Sequence, residues 1–110
     1  MDYWKALEAM LRKSKIVIDR PKGTSHPRYP DIVYPLDYDY LDNTVGGDGH
    51  EIDIWVGSGA ADNVTGVVVT VNLEKRDAEQ KLLISCDDAE MKVIEAFHHG
   101  GFQSSMLLKR

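Results

Sequence analysis

The chain has 110 residues, of which 43% are hydrophobic and 28% are charged, and its net charge is −5 at pH 7. This length fits a single domain, and the acidic balance disfavours nucleic acid and anionic membranes as partners, because there is no basic excess to release counterions. The one cysteine, Cys86, excludes an internal disulfide and fits a reducing compartment. No apolar run approaches the about 18 residues that span a membrane, and the N-terminus is not typical of a signal peptide, so the sequence predicts a cytoplasmic protein.

The first third of the chain predicts a helix, a strand and a basic loop. Trp4, Leu7, Met10 and Leu11 recur at helical spacing and predict an amphipathic helix within residues 1–14. The β-branched run 15–19 then predicts a strand. Proline and glycine punctuate the loop that follows. This loop contains four potential cations, which are Arg20, Lys22, His26 and Arg28. We interpret Arg20 and Lys22 as ordinary loop charges.

The rest of the chain predicts short strands and one further helix. Strands are expected around residues 32–40, 52–56, 67–71 and 82–84, with a charged connection at 73–80. Asp87 and Asp88 favour the start of a helix, which the glycine pair 100–101 ends. We therefore expect a small β-barrel or α+β domain, with a body at 15–85 and a helix and tail at 87–110. Trp55, which alternates with Ile54, should pack under the N-terminal helix or at a subunit contact.

Acidic residues concentrate in two segments that could bind a divalent cation. The first segment contains Asp48, Glu51 and Asp53 around a glycine turn, and the second contains Glu74, Asp77 and Glu79 followed by Lys81. Hard cations such as Mg²⁺ bind oxygen ligands of this kind, and metal ions can hold a phosphate and activate a water. From composition and spacing alone, solvated acidic loops remain the alternative.

The order of four motifs resembles a known enzyme family. IVIDRPKG, YPLDYDY, DGHEID and E-x4-E-x-K follow one another over residues 16–84. In this order they resemble the soluble inorganic pyrophosphatases, which are built on a small five-stranded OB-like barrel. The resemblance implies a mainly β or α+β fold of that type, flanked here by an N-terminal and a C-terminal helix.

The resemblance also implies a role for each matching residue. Five acidic residues fall at or near metal-binding positions of the family, namely Asp19, Asp48, Asp53, Glu74 and Glu79. Arg28 and Lys81 fall where the family binds phosphate, and Tyr38 matches a tyrosine that hydrogen-bonds a phosphate oxygen or a metal-ligating carboxylate. The implied cofactor is Mg²⁺ and the implied substrate is inorganic diphosphate, with Asp48, His50 and Tyr38 as the catalytic residues. Bacterial members of the family are commonly hexamers, so a homo-oligomer is expected.

Four departures from the family pattern affect these expectations. His50 stands where the family has the aspartate that orients the attacking water, and it could act as a general base or favour Mn²⁺, Co²⁺ or Zn²⁺. Pro30 replaces the glutamate of the family's Lys-x-Glu motif. The hairpin that carries a phosphate-binding arginine is missing, and so is the family's late Tyr-Lys pair, in whose region only His98 and His99 lie.

The sequence therefore predicts a divalent-metal-dependent hydrolase that splits inorganic diphosphate into two phosphates. The alternative is a pyrophosphatase-like domain that has weakened or lost turnover and binds a phosphorylated ligand or a protein partner. Binding of nucleic acid through an OB-like face is disfavoured by the net charge of −5.

Overall fold

A computed structural model describes all 110 residues as one six-stranded sheet with two helices. In chain order the elements are α1 (Tyr3–Arg12), β1 (Ile16–Arg20), β2 (Asp37–Leu41), β3 (Ile52–Val56), β4 (Val64–Asn72), β5 (Asp77–Ile84), α2 (Asp88–Phe97) and β6 (Gln103–Lys109). The strand order across the sheet is β1-β2-β3-β5-β4-β6, and only the β3–β5 pair is parallel. Neither helix is long and apolar enough to cross a bilayer.

The two faces of the sheet are each covered by one helix. Neighbouring residues of β3 point to opposite faces, because side chains alternate along a strand. Ile54 belongs to the apolar cluster that packs on Leu7 and Leu11 of α1. Trp55 belongs to the second cluster, together with Met91 and Ile94 of α2. The prediction that Trp55 packs under the N-terminal helix is therefore wrong, since the strand's alternation does not reveal which helix covers which face.

Local capping residues fix where both helices begin. The side chain of Asp2 accepts a hydrogen bond from the Lys5 N–H at 2.8 Å, which satisfies a free donor of the first turn of α1. Asp87 and Glu90 form a capping box at the start of α2. Both helices lie where the sequence predicts them, because these signals lie within four residues of each helix start.

The sheet is open, and the predicted five-stranded barrel is not formed. Closure would require the two edge strands to pair, but β1 pairs only with β2 and β6 pairs only with β4. β6 runs beside β4 along seven residues, from Gly66–Lys109 to Asn72–Gln103. It therefore occupies the edge of β4 at which β1 would have to close a barrel.

Two segments predicted as irregular are strands. Residues 103–109, expected as a tail, form β6, and residues 77–80, expected as part of a charged connection, form the first half of β5. The first half of β5 alternates between exposed and partly exposed positions. Because it extends past the buried core, it lacks the apolar residues by which strands are predicted.

The basic loop after β1 folds into a small hairpin beside the sheet. Gly23 N–H donates to the Tyr34 carbonyl, Tyr34 N–H donates to the Thr24 carbonyl, and His26 N–H donates to the Ile32 carbonyl. Tyr34 is only 3% exposed and anchors this hairpin in the cluster beneath α2. The sequence predicts that residues 32–34 belong to a strand, whereas in the structure they form one side of this hairpin, and Tyr34 is also the first residue of the YPLDYDY motif.

Candidate active site

Lys81 is the centre of a hydrogen-bonded group on the α2 face of the sheet. Its ammonium lies 2.6 Å from Asp53 Oδ2, 3.2 Å from Glu79 Oε2 and 3.1 Å from the Tyr38 hydroxyl oxygen. The Tyr38 hydroxyl in turn donates to Asp53 Oδ2 at 2.9 Å. Four residues that the sequence assigns to the site are thus in direct contact.

Strand pairing explains how residues distant in sequence meet here. Tyr38 lies opposite Trp55 in the β2–β3 register, and Trp55 lies opposite Leu83 in the parallel β3–β5 register. Asp53 and Lys81 each precede these positions by two residues, so they point to the same face. The parallel β3–β5 pairing therefore creates the central ion pair.

Burial and charge set the protonation of this group. Burial alone would lower the pKa of Lys81, which is 6% exposed, but Tyr38 and Asp53 together outweigh burial and raise that pKa. Burial is also the main reason that the pKa of the Tyr38 hydroxyl is raised. At neutral pH the lysine is therefore charged and the phenol keeps its proton, which it donates to Asp53.

A cleft of about 740 Å³ opens next to the Lys81 group. It is lined by residues around the start of β3 (45–48 and 51–53) and by residues 69–71 of β4, 78–80 of β5 and 104–106 of β6. Four carboxylates line it, and these are Asp48, Glu51, Asp53 and Glu79. Two of them, Asp53 and Glu79, are paired with Lys81, whereas Asp48 and Glu51 have no cationic partner. The cleft therefore has an excess of negative charge.

The glycine turn before β3 orients Asp48. The Asp48 side chain accepts a hydrogen bond from the His50 N–H at 3.0 Å, and Gly46 N–H donates to the His50 carbonyl. Gly49 adopts a φ of +85°, which favours glycine at this position. The His50 side chain is exposed and is not part of the cleft wall.

A buried histidine contacts the Lys81 group indirectly, through Trp55. Trp55 Nε1 donates to His98 Nε2 at 3.1 Å, and Trp55 itself is completely buried against Tyr38. Burial lowers the pKa of His98 to about 4, with a further lowering by Lys81. The imidazole is therefore neutral and structural. His98 is the C-terminal cap residue of α2, the helix that the sequence predicts to end at the glycine pair 100–101.

Three other predicted site residues lie apart from the Lys81 group. Glu74 is exposed in the β4–β5 turn, where its N–H donates to Asn72 Oδ1 at 3.0 Å. Asp19 is exposed on β1, and the guanidinium of Arg28 lies over the ring of Tyr29, 5.6 Å from its centroid. None of the three is in hydrogen-bonding or ion-pair contact with Tyr38, Asp53, Glu79 or Lys81.

The donors of the cleft suit a hard divalent cation in type. Carboxylate oxygens are the ligands that Mg²⁺ prefers, and four of them line one wall. No group of three or more His, Cys, Asp or Glu side chains converges on a single position. Metal binding here would therefore require the carboxylates to rearrange, or waters to complete the ligand set.

Comparison with known proteins identifies a similar fold. No family model and no curated protein sequence matches the chain. Among solved structures, it is similar to the inorganic pyrophosphatase of the pathogenic bacterium Helicobacter pylori, with a TM-score of 0.60 and 17% sequence identity. The similarity covers 87% of this chain and 82% of that one. The chain therefore has a pyrophosphatase-like fold.

Proposed function

We propose that the chain hydrolyses inorganic diphosphate to two phosphates with the help of a divalent cation, Mg²⁺ in the first instance. The observation that carries this proposal is the cleft, whose lining includes Asp48, Glu51, Asp53 and Glu79, the last two paired with Lys81, in a pyrophosphatase-like fold.

The charge of the cleft supports a requirement for cations. The cleft lining includes four acidic residues, and only two of them, Asp53 and Glu79, pair with the ammonium of Lys81, so a free diphosphate anion would be repelled. Substrate can enter only together with positive charge. A divalent cation held by the carboxylates would neutralise phosphate oxygens and make a bound water a stronger nucleophile.

The chain's own groups would bind and orient the substrate. Lys81 is a fixed positive charge beside the cleft, and its position is determined by Asp53, Glu79 and Tyr38. The Tyr38 hydroxyl can exchange its hydrogen bond to Asp53 for one to a phosphate oxygen. His50, exposed beside the Asp48 turn, would be the proton acceptor. Roles for Asp19, Arg28 and Glu74 stay predictions.

Phosphate release across a metal panel tests the proposal. Purified protein is mixed with diphosphate and Mg²⁺, Mn²⁺, Co²⁺ or Zn²⁺, beside the variants Asp53→Asn and Asp62→Asn. Asp53→Asn should lower the rate at least about tenfold, since it removes a charge that a cation and Lys81 share. Asp62→Asn, in the exposed loop before β4, should not change it. Absence of phosphate release with all four metals would refute the proposal.

The variant His50→Asp tests the proposed role of the histidine. If the histidine occupies the water-orienting position, an aspartate there should raise Mg²⁺-dependent turnover. If His50 is itself the base or a ligand for a softer metal, the substitution should abolish activity with Mn²⁺, Co²⁺ or Zn²⁺. An unchanged rate with every metal would exclude His50 from the reaction.

One observation favours the alternative of a binding domain with weakened turnover. Lys81 is already paired with Asp53 and Glu79, and Glu74 lies in a turn apart from them. A domain of this kind would bind diphosphate without splitting it. Calorimetric titration that detects diphosphate binding, together with no phosphate release, would select this function over hydrolysis.

A further inference from the structure

Arg20 is a partly buried arginine without a carboxylate partner. It is the last residue of β1, and its Nη1 donates to the Tyr34 hydroxyl. Its guanidinium also lies over the Tyr34 ring, 5.5 Å from the centroid. No ion pair in the structure includes Arg20; its charge lowers the pKa of Asp39, which burial raises overall. A guanidinium has five N–H donors, so most of them remain available to a ligand.

Tyr34 and Tyr38 connect Arg20 to the Lys81 group. Arg20 lies opposite Tyr38 in the β1–β2 register. The rings of Tyr34 and Tyr38 are stacked, with centroids 5.5 Å apart and planes 19° apart. One hydroxyl contacts Arg20, and the other contacts Lys81 and Asp53. Arg20 and Lys81 are therefore connected through one pair of stacked tyrosines, since each cation contacts the hydroxyl of one of the two rings.

We propose that Arg20 binds phosphate oxygens in the diphosphate site, with Tyr34 as the residue that positions it. This inference rests on the proposed function, and it gives the site an arginine although the hairpin that carries one in the resembled family is missing. A guanidinium suits the task because two parallel N–H groups match two phosphate oxygens. Tyr34 is 3% exposed, so its ring and hydroxyl are fixed in place and can position the guanidinium. Because the phenol is uncharged, it leaves the positive charge of Arg20 intact, whereas a carboxylate partner would neutralise that charge.

The test compares diphosphate binding by Arg20→Gln, Arg20→Lys and Tyr34→Phe with wild type, in calorimetric titrations that contain Mg²⁺. Arg20→Gln should weaken binding about tenfold to hundredfold, the loss expected for charge-assisted hydrogen bonds. Arg20→Lys keeps the charge but loses the paired N–H groups, so its affinity for diphosphate should lie between those of wild type and Arg20→Gln. Tyr34→Phe keeps the ring and removes only the hydroxyl, so a smaller loss of about threefold to tenfold is expected.

Lys92→Gln is the matched control for charge. Lys92 is exposed on α2 and forms no hydrogen bond or ion pair with Tyr34, Tyr38 or Lys81. This variant therefore removes one positive charge that is not connected to that group, and its affinity should equal that of wild type. Circular dichroism establishes that each variant is folded. If Arg20→Gln does not fold, Arg20→Lys and Tyr34→Phe decide the question.

The outcomes separate this inference from the proposed hydrolysis. Equal affinities of wild type, Arg20→Gln and Lys92→Gln would overturn the role of Arg20 even if the protein is an active hydrolase. A wild-type protein that binds neither diphosphate nor inorganic phosphate would also overturn it. Wild type that binds diphosphate without releasing phosphate would refute hydrolysis alone, and the Arg20 comparison would still decide the inference.

Discussion

The buried imidazole of His98 should make the stability of the fold depend on pH below neutrality. Its folded-state pKa is about 4, mainly because of burial, against 6.5 for an unperturbed histidine. Between these values the unfolded chain binds a proton that the folded chain does not, so acidification favours unfolding. The contribution of the neutral His98 side chain to the free energy of unfolding is complete above about pH 6.5, and it is lost progressively as the pH falls towards 4. Relative to pH 7.5, the loss amounts to about 2 kcal/mol at pH 5.

The variant His98→Gln isolates this contribution from other titrating groups. A glutamine can still accept the hydrogen bond from Trp55 Nε1, but it does not titrate. The free energy of unfolding is measured with urea at pH 7.5 and pH 5 for both proteins. The wild type should lose about 2 kcal/mol more than the variant over this interval. Equal losses in the two proteins would refute the claim that a neutral, buried His98 is required by the folded state.

Two further predictions concern contacts that hold the sheet and its edge. Glu8, which is 7% exposed, accepts hydrogen bonds from the Val64 N–H at 2.8 Å and from Arg110 at 2.6 Å. Glu8→Ala should therefore lower the free energy of unfolding, measured with urea, by about 3 kcal/mol. Arg12→Ala, which removes only an exposed partner of Glu8, should cost less than about 1 kcal/mol, and similar losses for both would contradict this reasoning. Glu95→Ala should raise the apparent mass in size-exclusion chromatography, because Glu95 Oε2 accepts the Leu107 N–H at 2.9 Å at the free edge of β6; an unchanged elution volume would argue against a protected edge.

The sequence predicts best what neighbouring residues determine. The alternation of Ile54 and Trp55 predicts a strand, and the acidic pair at 87–88 predicts the start of a helix, because both signals are local. The faces that α1 and α2 cover depend on how strands pair across the sheet. That pairing joins residues as far apart as Asp53 and Lys81, which are separated by 28 positions, and no local pattern encodes it. Only the motif resemblance placed these two residues in one site.

Arg20 and β6 show why the other features were missed. Arg20 directly follows a β-branched run, so an extension of that strand by one residue was a possible signal, but proline and glycine next to it favoured a loop. The partner of Arg20 is the hydroxyl of Tyr34, 14 residues away. β6 combines two serines with an apolar run, and it is stabilised as a strand by its pairing with β4. In both cases the decisive contact is tertiary.

The distribution of charge in the cleft constrains how the proposed reaction could use a cation. Asp53 and Glu79 already share the ammonium of Lys81, so an entering cation must compete with a fixed positive charge there. Asp48 and Glu51 have no such competitor. Under the proposed function these two are therefore the first carboxylates available to a cation, and Lys81 is left to bind phosphate. His50 lies between them in the sequence, and an imidazole favours softer metals than carboxylates do. Under the proposed function the choice of metal would therefore depend on the glycine turn before β3, whereas the binding of phosphate would depend on residues of the sheet.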